Sequence, residues 1–310
     1  QLNHRSYFDR IALGDDEITA PGRFALTKQT PLNAANQISE LGENTQQVLA
    51  TPRKISISEL GEVEPSAPLE GVKVVDFMWS LAGPFTTRAL ADLGATVVKI
   101  ESTHKPDAAR GFLPVWDNEP GLERSALFDT ANAGKLSLAL NMNRPEALEV
   151  MHDLIGWADV LCDSFSPGKM DSWGLSWEKV QGLNPRLIML STCLTGQSGP
   201  TANFAGYGNL GAALSGFYGL AGWPDRAPSG PFGAYTDYTS THFMLTTLLA
   251  ALDKQRRTGS GEYIDLAQTE AALHFIAPAV LEASATGRLA TAIGNDDSDM
   301  SPHGGFACLG

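Results

Sequence analysis

The sequence is short of cysteine, of basic residues and of long apolar runs, and each shortage closes off a class of function. Only three cysteines occur in 310 residues. Cys162, Cys193 and Cys308 are far apart and odd in number, so they form neither a disulfide framework nor a zinc spacing. They read as small buried hydrophobes of a reducing, cytoplasmic protein. Lysine and arginine total 22 against 35 aspartates and glutamates, a formal charge of -13. That balance argues against nucleic acid and against an anionic membrane surface as partners, so an anionic ligand must find a local basic cluster or a set of backbone amides. The longest apolar stretch, Phe243 to Leu252, is interrupted by Thr246 and Thr247 and stops at Asp253, short of the ~18 residues of a membrane span. The chain opens Gln1-Leu2-Asn3 without Met or an apolar leader, which predicts a protein without a signal peptide whose first residue is not a translational start.

Several catalytic and nucleotide-binding signatures are missing too. The turn of the first βαβ unit, Asp76 to Thr86, holds only Gly83 where a dinucleotide-binding protein needs three glycines, so Glu101 at the next strand end reads as a solvated carboxylate rather than a ribose ligand. There is no P-loop, no Gly-x-Ser-x-Gly elbow and no His-Glu-x-x-His. The six histidines share no ligand spacing, and no metal is expected.

What remains is an ordinary globular composition, 43% hydrophobic and 18% charged, the charged share lying below the usual ~25% as in a compact enzyme. Residues 1–67 are weakly periodic, with turn formers at Gly14-Asp15-Asp16 and Pro21-Gly22 and one helical candidate, Asn44 to Ala50; they read as an extended arm plus linker. From Pro68 the pattern changes to strand Val72–Phe77, helix Phe85–Leu93 and strand Ala95–Ile100, a βαβ unit of about 30 residues that implies a right-handed parallel crossover. Alternation continues through strand Leu136–Leu140, helix Arg144–Trp157, strand Val160–Phe165, helix Ser176–Leu183 and strand Leu187–Ser191. Helices follow at Asn209–Tyr218 and Tyr238–Arg257, the latter closed by Thr258-Gly259-Ser260-Gly261, then strand Tyr263–Leu266, helix Gln268–Ala285 and a strand beginning at Gly305–Leu309. The fold class is α/β, a doubly wound, Rossmann-like parallel sheet over 68–310 preceded by an arm.

At this point the residues carry a resemblance. Pro68 to Phe77, Ala82-Gly83-Pro84, Leu93 to Glu101, Asn132-Ala133-Gly134-Lys135-Leu136-Ser137 and Asp163-Ser164-Phe165-Ser166-Pro167-Gly168-Lys169-Met170-Asp171-Ser172-Trp173-Gly174-Leu175 resemble, in order, the motifs of class III CoA-transferases, the family that also contains α-methylacyl-CoA racemases. The resemblance implies an acyl-CoA donor and a carboxylic acid acceptor, with coenzyme A as co-substrate and neither metal nor dinucleotide. It places the family's nucleophile at Asp171, through an aspartyl-CoA thioester. Physically, Asp171 lies just beyond a strand and the Pro167-Gly168 turn, at the carboxyl edge where α/β proteins bind ligands; the plain alternative is a helix cap.

Other roles follow from the same resemblance. Lys135 and Arg110 are expected on the CoA phosphates, with Asn132, Ala82, Gly83, Phe165, Pro167 and Gly168 completing the CoA set. Leu81 stands where formate-transferring members carry Gln, which argues against an oxalate or formate acceptor. Asp237 matches an aspartate that racemase members use as acid and base, but their histidine is replaced by Tyr207, a poor proton-exchange partner at neutral pH. Trp79, Tyr207 and Asp237 are substrate-binding candidates, and Trp79, Tyr207, Trp223, Tyr235 and Tyr238 cluster in loops after strands, where they read first as ordinary packing and second as an aromatic cage for a cationic acceptor. Residues 4–50 resemble the family's C-terminal tail. A tail ahead of a head suggests part of a tandem fusion, longer at both ends and with its small domain truncated or absent. Such fused members include enzymes that acylate dimethylsulfoniopropionate, and an interlocked homodimer or fused pseudo-dimer is the expected assembly. The competing readings are an acyl-CoA racemase at the same site and a non-catalytic CoA-transferase-like subunit.

Overall fold

The computed structural model describes residues 1–14, 16–30, 32, 40–51 and 66–309. Asp15 of the Gly14-Asp15-Asp16 turn and most of the 33–65 linker lie outside the described residues. The arm carries strands β1 (Phe8–Leu13), β2 (Asp16–Pro21) and β3 (Leu26–Thr27) and helix α1 (Thr45–Ala50). The body runs β4 (Lys73–Phe77), α2 (Ala82–Asp92), β5 (Thr96–Glu101), α3 (Ala126–Asn132), β6 (Leu136–Ala139), α4 (Pro145–Trp157), β7 (Val160–Asp163), α5 (Lys169–Ser172), α6 (Trp177–Leu183) and β8 (Ile188–Cys193). It continues with α7 (Gly208–Leu214), α8 (Phe217–Leu220), α9 (Tyr235–Thr258), β9 (Glu262–Ala267), α10 (Gln268–Leu273) and α11 (Ala277–Thr286).

A seven-stranded sheet in the order β3-β9-β8-β7-β4-β5-β6 carries the body, parallel except for β3. Its central strands are apolar at successive positions because both faces are covered, as parallel sheets require. Val74, Val160, Ile188, Leu190 and Ile264 pack on one face with Leu90 of α2 and Met244, Leu248 and Leu252 of α9. Val75, Leu161 and Met189 pack on the other with Met151 and Ile155 of α4 and Val180 of α6. The 24-residue α9 stops at Gly259, whose φ of 73° lets its N–H close on the Gln255 carbonyl, as the glycine cluster predicted. The α/β sheet with doubly wound helices is therefore the fold read from the pattern.

Four local expectations are corrected. The helix expected over Gln268–Ala285 is two helices, because Pro278 in the first turn of α11 has no N–H to continue α10. The helix at Asn209–Tyr218 breaks at Gly216, which takes φ 96°. Helix α3, which periodicity did not signal, is capped by Ser125, whose Oγ accepts the Phe128 N–H at 3.2 Å. Gly305–Leu309 forms no strand.

The first thirty residues are more than an extended tether. β1 and β2 form an antiparallel hairpin, β3 adds to the sheet edge with Leu26 opposite Asp265, and Tyr7 donates its hydroxyl to the Glu270 carbonyl at 2.9 Å. The anchor is Arg5, 3% exposed, which pairs with Asp265 at 2.6 Å and Glu270 at 2.5 Å. Elsewhere a buried carboxylate lacks such a cation among the described residues: Asp163 at the end of β7 accepts from Ser191 Oγ at 2.5 Å and Phe165 N–H at 3.1 Å. Burial pushes its pKa up to about 7 against those two donors.

Two stability outcomes follow. Arg5→Ala should lower the unfolding free energy by ~3–5 kcal/mol in denaturant titrations, since two buried carboxylates would lose their cation. For Asp163, the native state holds a proton that the unfolded chain releases near pH ~4, so the wild type should lose stability as pH rises from there towards about 7. Asp163→Asn should remove that component of the slope; equal slopes in the two proteins would contradict the assignment.

Candidate active site

From β4 the chain winds through β5 and β6 to one side, then returns through β7 to the other side of β4. The loops after β4 and β7 therefore diverge, which opens a crevice at the carboxyl edge of the sheet. The β4 turn is held from four directions. Asp76 accepts the Met78 N–H at 2.8 Å, Lys99 donates to the Met78 carbonyl at 2.7 Å, Asp107 accepts the Ser80 N–H at 3.0 Å and Ser164 Oγ accepts the Trp79 N–H at 2.7 Å. Ser80 sits in the left-handed region at φ 64°, a conformation that these bonds stabilise.

Two cavities meet over that turn. One, of about 470 Å³, is lined by Trp79, His104, Lys105, Asn141, Asn143, Lys169 and Trp173. The other, of about 720 Å³, is lined by Leu81, Ala82, Gly83, Cys193, Phe204, Tyr207, Asp237 and Gln268. Trp79, Lys105, Ser164, Phe165 and Ser166 belong to both. Lys105 and Lys169 lie over the rings of Trp79 and Trp173, at 5.9 and 4.2 Å from the centroids, and neither pairs with a carboxylate among the described residues.

The structure separates the residues that the motifs suggested. Ala82, Gly83, Phe165, Trp79, Tyr207 and Asp237 line the larger cavity. Gly168, at φ 78°, caps α5, and Pro167 precedes it outside both cavities. Asp171 is exposed on the four-residue α5 and faces a separate crevice of about 200 Å³ with Lys28, Asp163, Ser191 and Gln197. The two expected phosphate cations point inward. Lys135 pairs with Asp76 at 3.0 Å and donates to Asn132 Oδ1 at 2.9 Å and the Pro84 carbonyl at 3.0 Å; burial lowers its pKa. Asn132 is thereby used as well. Arg110 forks onto Glu101, bridges to Glu123 at 2.9 Å and stacks over Phe128 at 3.8 Å. The five-membered aromatic cage does not assemble: Tyr235 packs on Phe217, Tyr238 on Phe85, and Trp223 beneath Arg226.

Asp237 has the environment of a working group. It lies in the first turn of α9, 6% exposed, on the wall of the larger cavity. Burial raises its pKa to about 6 while the Gln268 side chain and the Gly208 N–H hold it down. Glycine is required at 208, since a Cβ there would meet the Ala234 carbonyl oxygen at 2.5 Å and the Asp237 nitrogen at 2.7 Å. Sequence reasoning missed Gln268 and Lys105. The first could have been noticed as a polar residue directly after an apolar strand; the second had no local signal, because its role depends on which loops the sheet brings together.

The comparisons agree on one family. The family model described as CoA-transferase family III matches residues 69–309. The acetyl-CoA:oxalate CoA-transferase of Acetobacter aceti is 34% identical over 247 residues, covering 79% of this chain and 62% of that protein. The succinyl-CoA–D-citramalate CoA-transferase of Chloroflexus aurantiacus is 32% identical over 238 residues, covering 77% and 58%. A crystal structure of a CAIB/BAIF family protein from Brucella suis aligns with TM-score 0.70 and 32% identity over 77% of this chain and 63% of that one. The chain thus spans about three fifths of the length of these relatives. Over that span of matched residues, the chain belongs to CoA-transferase family III.

Proposed function

We propose that the chain carries the CoA-binding and nucleophilic part of an acyl-CoA:carboxylate CoA-transferase, with Asp237 rather than Asp171 as the attacking carboxylate. One observation carries this reading: Asp237 is buried on the wall of a cavity of about 720 Å³ that shares Trp79, Lys105 and the Ser164–Ser166 loop with a second, cationic cavity. Asp171 is exposed on a crevice of about 200 Å³ that shares only Ser166 with them.

A bound acyl-CoA would lay its phosphates beside Lys105, Lys169 and His104 in the cationic cavity, where unpaired ammonium groups and aromatic faces favour anions and flat rings. Its pantetheine arm would cross Trp79 and Phe165. The thioester carbonyl would then lie in the larger cavity against Asp237. Attack by the carboxylate forms a mixed anhydride and expels the CoA thiolate; the thiolate attacks the aspartyl carbonyl, forming an aspartyl-CoA thioester and releasing the donor acid. An acceptor carboxylate reverses both steps and leaves as its CoA ester. Each intermediate is about as activated as the thioester it replaces, so the sequence runs near equilibrium. The advantage over free acid is placement, worth effective molarities of up to ~10⁵ M or more. A carboxyl with pKa of about 6 is mostly ionised at pH 7 and is poorly solvated, which suits a nucleophile. Lys135, Asn132 and Arg110 would act on CoA only indirectly, by bracing the β4 and β5 ends.

Two measurements test this. With acetyl-CoA or succinyl-CoA as donor and succinate or citramalate as acceptor, Asp237→Asn should lose transfer by about three orders of magnitude or more, whereas Asp171→Asn should keep most of it. Hydroxylamine added during turnover should leave a hydroxamate on the peptide containing residue 237, and an adduct on residue 171 would reverse the assignment. Replacing Lys105 and Lys169 together by Ala should raise the KM for acyl-CoA by about tenfold with a smaller change in kcat. That penalty should shrink at 1 M salt, where the screening length is about 3 Å.

A further inference from the structure

We propose that Gln197 is a positioning residue for Phe165, whose ring stands where the two larger cavities meet, and that the arm sets Gln197 in place through Arg5. The proposal rests on the path of acyl-CoA across Trp79 and Phe165 and holds whichever aspartate attacks.

The sheet register puts Asp163, Ser191 and Asp265 in one row across β7, β8 and β9. Each buried carboxylate of the row holds a backbone N–H of a neighbouring loop: Asp163 Oδ1 accepts from Phe165 at 3.1 Å and Asp265 Oδ1 accepts from Gln197 at 2.9 Å. The Gln197 side chain then crosses between the loops, its Nε2 donating to the Phe165 carbonyl at 3.0 Å. A carbonyl only accepts, so the amide has a single workable orientation there. Phe165 is thus held at both its N–H and its C=O, by residues that line neither of the two larger cavities. Its ring meets Trp79 edge-on at 5.6 Å and Trp173 at 5.3 Å. A ring fixed in advance has little rotational freedom left to lose when the CoA arm lies against it.

The arm enters through the other side of Asp265. Arg5 Nη1 donates to Asp265 Oδ2 at 2.6 Å, which leaves Oδ1 for Gln197, and to Ser198 Oγ at 3.1 Å. The guanidinium lies so close over Gly196, at φ 84°, that a Cβ there would stand 2.3 Å from Arg5 Cζ. Gln1 holds the same loop from outside, donating to the carbonyls of Thr195 and Ser198 at 2.6 and 2.8 Å and accepting the Thr201 N–H at 3.0 Å. The loop after β8 is therefore moulded on arm side chains, and its shape passes to Phe165 through one amide.

The test is CoA binding by calorimetry to the full chain. Gln197→Met keeps the length of the side chain and removes the donor. It should raise the Kd for CoA about fivefold, the effect of one neutral hydrogen bond. In turnover the KM for acyl-CoA should rise in step while kcat and the KM for the acceptor stay nearly unchanged, and the near-ultraviolet dichroism of the tryptophans should change. A purely structural role would move the unfolding midpoint and leave the Kd of the folded protein alone. Gln197→Glu sets a carboxylate against the Phe165 carbonyl, should raise the Kd further, and serves as the test if Gln197→Met does not fold. Arg5→Lys keeps a cation for the two carboxylates but not the plane over Gly196; it should raise the Kd by less, and add nothing in the Gln197→Met background. An unmoved Kd in a folded Gln197 variant overturns the proposal, and additive effects overturn the part assigned to the arm. The CoA path itself is tested separately by the paired replacement of Lys105 and Lys169. A Kd raised by that pair but not by Gln197→Met keeps the path and sinks the positioning role; the opposite result sinks the cationic path and keeps Gln197.

Discussion

Two lysines buried between two aspartates hold the architecture of the site. Asp76 at the end of β4 stands opposite Lys99 of β5 in the sheet register; Lys99 pairs with Asp107 at 3.0 Å and Lys135 with Asp76 at 3.0 Å. All four side chains are 3% exposed or less. Each would be costly to desolvate alone, and together they form a neutral set whose remaining donors and acceptors are taken up by the backbone of Met78, Ser80, Ala109 and Pro84 and the hydroxyl of Thr87. That satisfaction holds the β4 turn in a left-handed bend at Ser80, and the bend sets Trp79 between the two cavities. Loss of any one charge would leave its partner buried and unpaired, so the network stabilises a particular loop shape more than it stabilises the fold at large.

Around that turn, environment divides the work among three aspartates. Asp163 is buried against hydrogen-bond donors without a cation and holds a proton to about pH 7. Asp171 is exposed at a helix end. Asp237 is buried and open to a cavity, and of the three it alone combines desolvation, ionisation near neutrality and access for a substrate. Proximity to a conspicuous motif is therefore a weaker guide than dielectric surroundings. Asp171 lies within the longest matching segment, yet it lines a different crevice from the one that the same segment lines with Phe165 and Ser166.

The arm makes the complementary point. Its weak periodicity follows from a hairpin only half covered by α11, to which Thr19 is tied through Ser284 Oγ at 2.6 Å. No amphipathic pattern could announce that a single arginine, Arg5, would neutralise Asp265 and Glu270 some 260 residues later.

The sequence by itself determined the order of strands β4 to β9 and of helices α2, α4, α6 and α9, the two-sided burial of the central strands and the family, because apolar period, glycine stops and short motifs are local properties that survive without knowledge of neighbours. Which ionisable groups face the cavities was decided only by tertiary structure. Lys135 and Arg110 look like phosphate ligands in one dimension, but sheet register delivers them to Asp76 and Glu101, where pairing offsets the cost of burial. Lys105, unremarked in the sequence, is left facing open space, and Gln268 at the end of β9 comes to the same cavity wall as Asp237 of α9 only through the tertiary fold. Pairing and desolvation depend on what lies across the fold, and that is information no local pattern holds.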